Sequence, residues 1–474
     1  MKFLIRFVQL IFLLFPLALL SYLSEQYFVP SGVFEIQHSV NETSPYIDAL
    51  APSDRVQQPI KKNDSWSQAI IADPVFFFLH PHRAFARVSF DIWFQNETAP
   101  IVEFGGLVRT NPDGYDLQPL HNLLIDKLSW RRITDGTLTL FQKNPKYNSI
   151  SDFFSNPPKR EQVAVYKADY PVALRLSNYE PSSIQKTISV SLRGSHELKT
   201  YIKNEILSFE FEYMDMNRDE GSDSVIAIVF DENGKPIADA RAADDGNLKR
   251  DAVPSEMKKL SLSVPGLSEG VYKVVLNAPR DIFFRKIHTT QNKIVFLNMV
   301  YIGDEIGYRE VAELVSIWTT SERFQMQTRH AEGVQNVLID GIEAPISEPY
   351  EMFTFQASPE LKEVKVPKGD IEIFVDSPIA FAKSQYFVPD PVAIRPYTDI
   401  VNSKIEFILT TYNPPRQEGE WLVKTFEFAT APLVFEKNSW KFTFSSPLIE
   451  ELGAKIIVKE INMEWYKKSR KVGE

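Results

Sequence analysis

The chain has 474 residues, is 44% hydrophobic and 24% charged, carries a formal net charge of −10 and contains no cysteine. The missing cysteine excludes disulfides, thiolate metal sites and a cysteine nucleophile together, and an acidic balance without a long basic run argues against nucleic acid as a partner. This length corresponds to roughly two to four domains, and 31 Pro, 19 Gly, 34 Phe and 18 Tyr favour many short strands joined by turns over a bundle of long helices.

The chain opens with "MKFLIRFVQLIFLLFPLALLSYLS", in which Lys2 and Arg6 precede an uncharged run from Phe7 to Leu23 that is just long enough to cross a bilayer. Ala18, Ser21 and Ser24 form no A-x-A-like cleavage site, so residues 1–24 are expected to be an uncleaved transmembrane anchor, with a removable signal peptide as the alternative. Its basic end would be cytoplasmic and the bulk of the chain after about Tyr27 extracytoplasmic. Residues 25–73, rich in Pro, Ser, Asn, Asp and Gln with weak periodicity, read as a stalk or linker.

Period-two segments follow. "RVSFDIWF" sets Val88, Phe90, Ile92 and Phe94 against Ser89, Asp91 and Trp93, and "TLTLFQ" repeats the style, which predicts a first β domain over 74–180. Leu120, Leu123, Leu124 and Leu128 predict one short helix inside it. A second block, 185–284, contains "ISVSLRGS", "LSFEFEY", the apolar "VIAIVF", the turn "DENGKP" and the strand "GVYKVVL". A third block, 285–466, is strand-like throughout, with "KIVFLNMVYI", "RFQMQTRH", "IEIFV" and "SWKFTFSS". Only Tyr308–Trp318 offers a rival helix, against "VSIWTT" as a strand. A basic tail occupies 467–474. The expected fold is all-β, two or three β-sandwich domains of jelly-roll or Ig-like type behind an N-terminal transmembrane helix.

The segment from Val225 through "DENGKPI" to "GVYKV" resembles the Ig-like and carboxypeptidase-regulatory-like sandwich modules of surface proteins, which read D-x-x-G-x-P-I and later G-x-Y-x-V. The resemblance covers about fifty residues and implies a fold, with no function attached to it.

The chemistry-bearing stretch is "EYMDMNRDEGSDS", Glu212 to Ser224, where Asp215, Asn217, Asp219, Glu220 and Asp223 fall between two strand patterns. Oxygens at alternate positions of a tight loop converge on a hard cation, and Asp215, Asn217 and Asp219 match the start of D-x-[DN]-x-[DN]-G. Gly221 falls one position late, Glu220 is inserted, and Ile226 stands where a bidentate glutamate belongs. With no flanking helices an EF-hand is excluded, and a strand-connecting calcium loop is the cation reading. An acidic turn accounts for the same residues without an ion. Asp244 and Asp245 in "ADDGN" form a second acidic spot.

No nucleophile-elbow, P-loop or dinucleotide motif occurs, and "HELKT" lacks the second histidine of a zinc-protease helix. His80 and His82 could share a metal from one strand face, but Pro81 intervenes and no third ligand is near in sequence. Trp66, Trp93, Trp130, Trp421 and Trp465 lie among polar neighbours, a pattern open to sugar stacking or to core packing. The functional expectation is binding or cell-envelope assembly, with envelope polysaccharide or a surface protein as partner. An anchored all-β glycoside hydrolase or lyase is the alternative, since a pair of carboxylates leaves no sequence motif.

Overall fold

A computed structural model describes residues 14–23, 32–62, 65–110, 113–244, 246–303 and 314–467. The protein is all-β, 47% strand and 7% helix. Period-two segments become strands for the expected reason: in Arg87–Asn96 every second side chain, Val88 to Phe94, is fully buried and the intervening ones are half-buried. Val225–Phe230, expected to be covered on both faces, alternates in the same way. The predicted leucine helix is reduced to Leu123–Asp126, because Gly114–Asn122 is a strand and Asn122 caps the turn by accepting from the Ile125 N–H. Val315–Thr319 is a strand paired with Lys362–Val366, as "VSIWTT" suggested. Residues 14–23 are helical, and residues 1–13 and 24 of the expected anchor, with residues 25–31 of the expected stalk, lie outside the described residues. Among the described residues no helix is long and apolar enough to cross a membrane.

The chain divides into two compact units, one of Met1–Trp130, Arg395–Thr398 and Thr411–Glu474, the other of Arg131–Ile394 and Asp399–Thr410. The consecutive blocks expected from sequence do not match this division, because the last strand, Ile456–Tyr466, inserts between Ser65–Ile70 and Arg87–Asn96 as their antiparallel neighbour. Both ends of the chain therefore build the first unit. Its seven-stranded and five-stranded sheets share one aromatic core, where Phe90 of the larger sheet meets Phe442 of the smaller with ring centroids 4.7 Å apart.

The expected stalk is corrected from Val33 onward. Val33–Ile36 pairs with Ile456–Tyr466, and Ile36, Val40, Ile47, Leu50 and Ile70 are buried in the same core. This stretch lacks strand periodicity because isolated bridges such as Ile47↔Leu79 and Ala51↔Phe76 hold it in place, with few regular ladders.

The second unit has a nine-stranded and a ten-stranded sheet facing one core, and a separate five-stranded sheet in which Val163–Tyr166 runs parallel to Phe407–Thr410. The blocks expected as separate domains before and after residue 285 share the two large sheets. Their common core runs from Ile188 to Ile379, and Met299–Ile302 joins Leu192–Arg193 to Ile371–Val375.

Candidate functional site

Antiparallel register assembles the acidic site at one end of the second unit. Leu207–Asp215 pairs with Ile282–Thr289 so that Asp215 lies opposite Ile282, which sets Asp281 beside the loop that follows Asp215. Val225–Phe230 pairs with Pro236–Ala242, Val225 opposite Ala242, which brings Asp223 to Asp244. The Asp223 N–H donates to Asp244 Oδ1 at 2.8 Å, and the Gly246 N–H donates to Asp244 Oδ2 at 3.0 Å.

Two overlapping trios result, Asp215 with Asp223 and Asp244, and Asp219 with Asp223 and Asp281; in each, one oxygen per residue lies within 4.8 Å of the others. Asp223 belongs to both. Asp215 Oδ1 accepts from the Asn217 N–H at 2.7 Å, and Asn217, at φ 49°, donates from its amide to the Val253 carbonyl at 2.8 Å. Asn217 is thus a turn-former, since a short amide side chain tolerates the left-handed conformation. Glu220 is exposed and outside both trios, and Asp245 lies outside the described residues.

Asp281 is the residue that the sequence did not flag. It is 1% exposed, and no donor among the described residues reaches either of its carboxylate oxygens. The Asp219 carboxyl is pushed up to about 7, first by its hydrogen bond with Asp281, then by desolvation and by the charges of Asp281, Asp223 and Asp215. Such a hydrogen bond requires a proton on one carboxyl. With both ionised, Asp219 and Asp281 simply repel. The local "APRDIFF" carries no ligand pattern; only the strand pairing around it places Asp281 at the loop.

A third cluster, Glu210, Glu212 and His288, contrasts with these. Lys259 Nζ stands 2.8 Å from Glu210 and 3.2 Å from Glu212, and its hydrogen bond is the main cause that holds the Glu212 carboxyl below the usual range.

The remaining sequence candidates separate. His80 Nε2 meets Asp48 Oδ1 at 2.9 Å and His82 packs edge-on to Tyr46, and neither belongs to a metal-competent trio among the described residues. His196 of "HELKT" is buried, its Nδ1 paired with the Gly194 carbonyl and its Nε2 accepting from the Tyr301 N–H, and burial holds its pKa down to about 4.

Among the tryptophans, Trp465 is fully buried against Trp440. Trp93 points outward from the seven-stranded sheet with Lys459 Nζ 4.6 Å from its ring centre. On the same sheet Trp421 lines a cleft of about 540 Å³ with Ser67, Gln95, Glu97, Gln417 and Glu420.

No protein-family description and no curated protein matches the chain. Similar solved structures include dimeric latent PorU from Porphyromonas gingivalis, at 11% identity and TM-score 0.19, covering 64% of this chain and 34% of that one, so this chain spans about a third of its length. They also include T=1 particles derived from infectious bursal virus, at 7% identity and TM-score 0.16, covering 92% of this chain and 77% of that one. A VP2 subviral particle of infectious bursal disease virus is similar at 7% identity and TM-score 0.16, over 85% and 73%. Likenesses this slight carry no functional argument.

Proposed function

We propose that the chain is a single-pass, membrane-anchored extracytoplasmic protein of two or three β-sandwich (jelly-roll or Ig-like) domains that works in binding or cell-envelope assembly, with carbohydrate as its ligand. The basic residues before the Phe7–Leu23 run support the anchor and its orientation, with the N-terminus cytoplasmic. Paired sheets over shared cores support the sandwiches. The observation that carries the ligand class is the Trp421 cleft. Trp421, 9% exposed, contributes only a small apolar area to the lining, while Gln95, Gln417 and Ser67 supply amides and a hydroxyl for the hydroxyl groups of a sugar.

The enzyme reading has one observation in its favour: Glu97 and Glu420 share that cleft, and two carboxylates about a sugar are what glycoside hydrolysis uses. A glycan array probed with the detergent-purified full chain tests the binding reading. Retention of an envelope-type glycan that Trp421→Ala abolishes supports it, and an array without retention overturns it. Reducing-sugar release that disappears in Glu97→Gln or Glu420→Gln would move the assignment to the enzyme. For the anchor, the chain should fractionate with membranes and begin at or near Met1, and N-terminal sequencing that starts near Ser21 to Gln26 would replace the anchor with a cleaved signal.

A further inference from the structure

We infer that Asp219, Asp223 and Asp281 form a binding site for a hard divalent cation, Ca²⁺ by its donor chemistry, which pins the acidic loop to the end of the nine-stranded sheet. The site lies in the second unit and is independent of the carbohydrate reading, which rests on the first.

Asp281 is a buried carboxylate. A buried carboxylate is stable only with a donor, a cationic side chain, a metal or a proton to compensate it. Donors are missing: neither oxygen of Asp281 has one among the described residues. Arg218 lies over the Phe283 ring, 5.2 Å from its centre, and none of the flanking arginines donates to Asp281 among the described residues. Arg280 faces Glu372 at 3.9 Å, and Arg285 donates to Ser191 Oγ at 2.8 Å and lies over the Phe283 ring. A proton shared with Asp219 would satisfy one pair of oxygens and leave Asp223 facing both. A metal ion is the remaining compensation, and it serves all three carboxylates at once.

Spacing and donor type agree with it. Oxygens bound to one Ca²⁺ at about 2.3–2.6 Å can be at most about 5 Å apart, and the three ligand atoms lie within 4.8 Å of one another. All are carboxylate oxygens, with no imidazole or thiolate in the trio, which selects calcium, magnesium or manganese over zinc or copper. Calcium accepts the irregular, partly hydrated geometry that three carboxylates on two chain segments provide, whereas magnesium demands a near-ideal octahedron.

The surrounding residues act as supports. Asp244 holds the backbone of Asp223 through its N–H, and Asp215 with Asn217 shapes the turn that carries Asp219. Such supports orient ligands without touching the ion. The ion would join Asp219 and Asp223, in the loop after Leu207–Asp215, to Asp281 at the start of Ile282–Thr289, so loop and sheet close together.

The test is calcium titration of the chelator-stripped full chain in detergent, by calorimetry and by equilibrium dialysis with ⁴⁵Ca²⁺. Saturable binding of one ion is expected, weakened roughly a hundredfold or more in Asp281→Asn and in Asp219→Asn, since the loss of a supporting residue alone reaches such values. Both changes keep side-chain shape. Asp219 is exposed, so its variant keeps the proposal falsifiable should Asp281→Asn fail to fold, and Glu210→Gln serves as the unaffected control. The proposal is overturned if the wild type shows no saturable binding up to about 10 mM Ca²⁺, above the range of weak extracellular sites. Undiminished binding in both Asp variants overturns it equally.

Discussion

Two carboxylate clusters in the second unit manage their charge differently. Glu210 and Glu212 project from Leu207–Asp215, and the adjacent strand Lys258–Val264 runs in a register that sets Lys259 directly opposite Glu212. The cation is thus written into the sequence as a cross-strand pair. Asp219, Asp223 and Asp281 lie past the strand ends, where no ladder fixes an opposing residue, and Asp281 is buried without a donor among the described residues. A strand can neutralise its acids by register. A loop that gathers acids from two segments takes its counter-charge from solution.

His196 sets the scale for this comparison, because it is equally buried and both its nitrogens have partners. Its pKa is about 4 against 6.5 for an ordinary histidine, so the unfolded chain takes up its proton first. Stability from this group is complete above pH 6.5 and is lost as pH falls toward 4, by about 3 kcal/mol over the window. Denaturant midpoints of wild type and His196→Gln at several pH values should show that slope in the wild type alone. Equal slopes would mean that the imidazole is hydrated and titrates freely.

The next effect is metal removal. At a hundredfold excess over Kd, calcium should raise stability by about 2.7 kcal/mol relative to chelator, seen as a higher Tm that Asp281→Asn no longer shows. A smaller effect follows from protons competing for the same oxygens. The Asp219 carboxyl is raised from its ordinary value to about 7, so in chelator stability should decline as pH rises from about 4 to 7 and stay low above it. Calcium should flatten that decline. A decline of equal size with and without calcium would separate Asp219 from the ion.

The smallest effect belongs to the self-neutralised cluster. The Glu212 carboxyl is held below the usual range, chiefly by Lys259, so its contribution is present at neutral pH and lost only as pH falls through that lowered value. Lys259→Met should remove this acid sensitivity and a small, salt-screened increment of stability without altering the calcium response. A changed calcium response would mean that the two clusters share one ion.

Local pattern made much of the fold legible. Alternation in "RVSFDIWF" and "LSFEFEY" gave two of the central strands, and the acidic loop between Leu207–Asp215 and Val225–Phe230 was visible as a cluster of oxygen donors. Long-range pairing was not. Nothing in "AKIIVKEINMEWY" says that it lies between two strands from the other end of the chain, and residues 37–59 resemble a stalk because isolated bridges rather than ladders hold them. The site was half-legible for the same reason: Asp219 and Asp223 are local, while Asp281 arrives through the register of a strand that begins more than fifty residues later. Glu220 looked like a ligand by proximity in sequence and projects into solvent.

The most direct test of the cation account is a crystal structure of the protein grown with calcium, with an anomalous difference map calculated at the site. The account predicts a peak among Asp219, Asp223 and Asp281 with oxygens at about 2.3–2.6 Å, completed by water. A lysine or arginine reaching Asp281, or a water at ordinary hydrogen-bond distance of about 2.8 Å without anomalous signal, would contradict it.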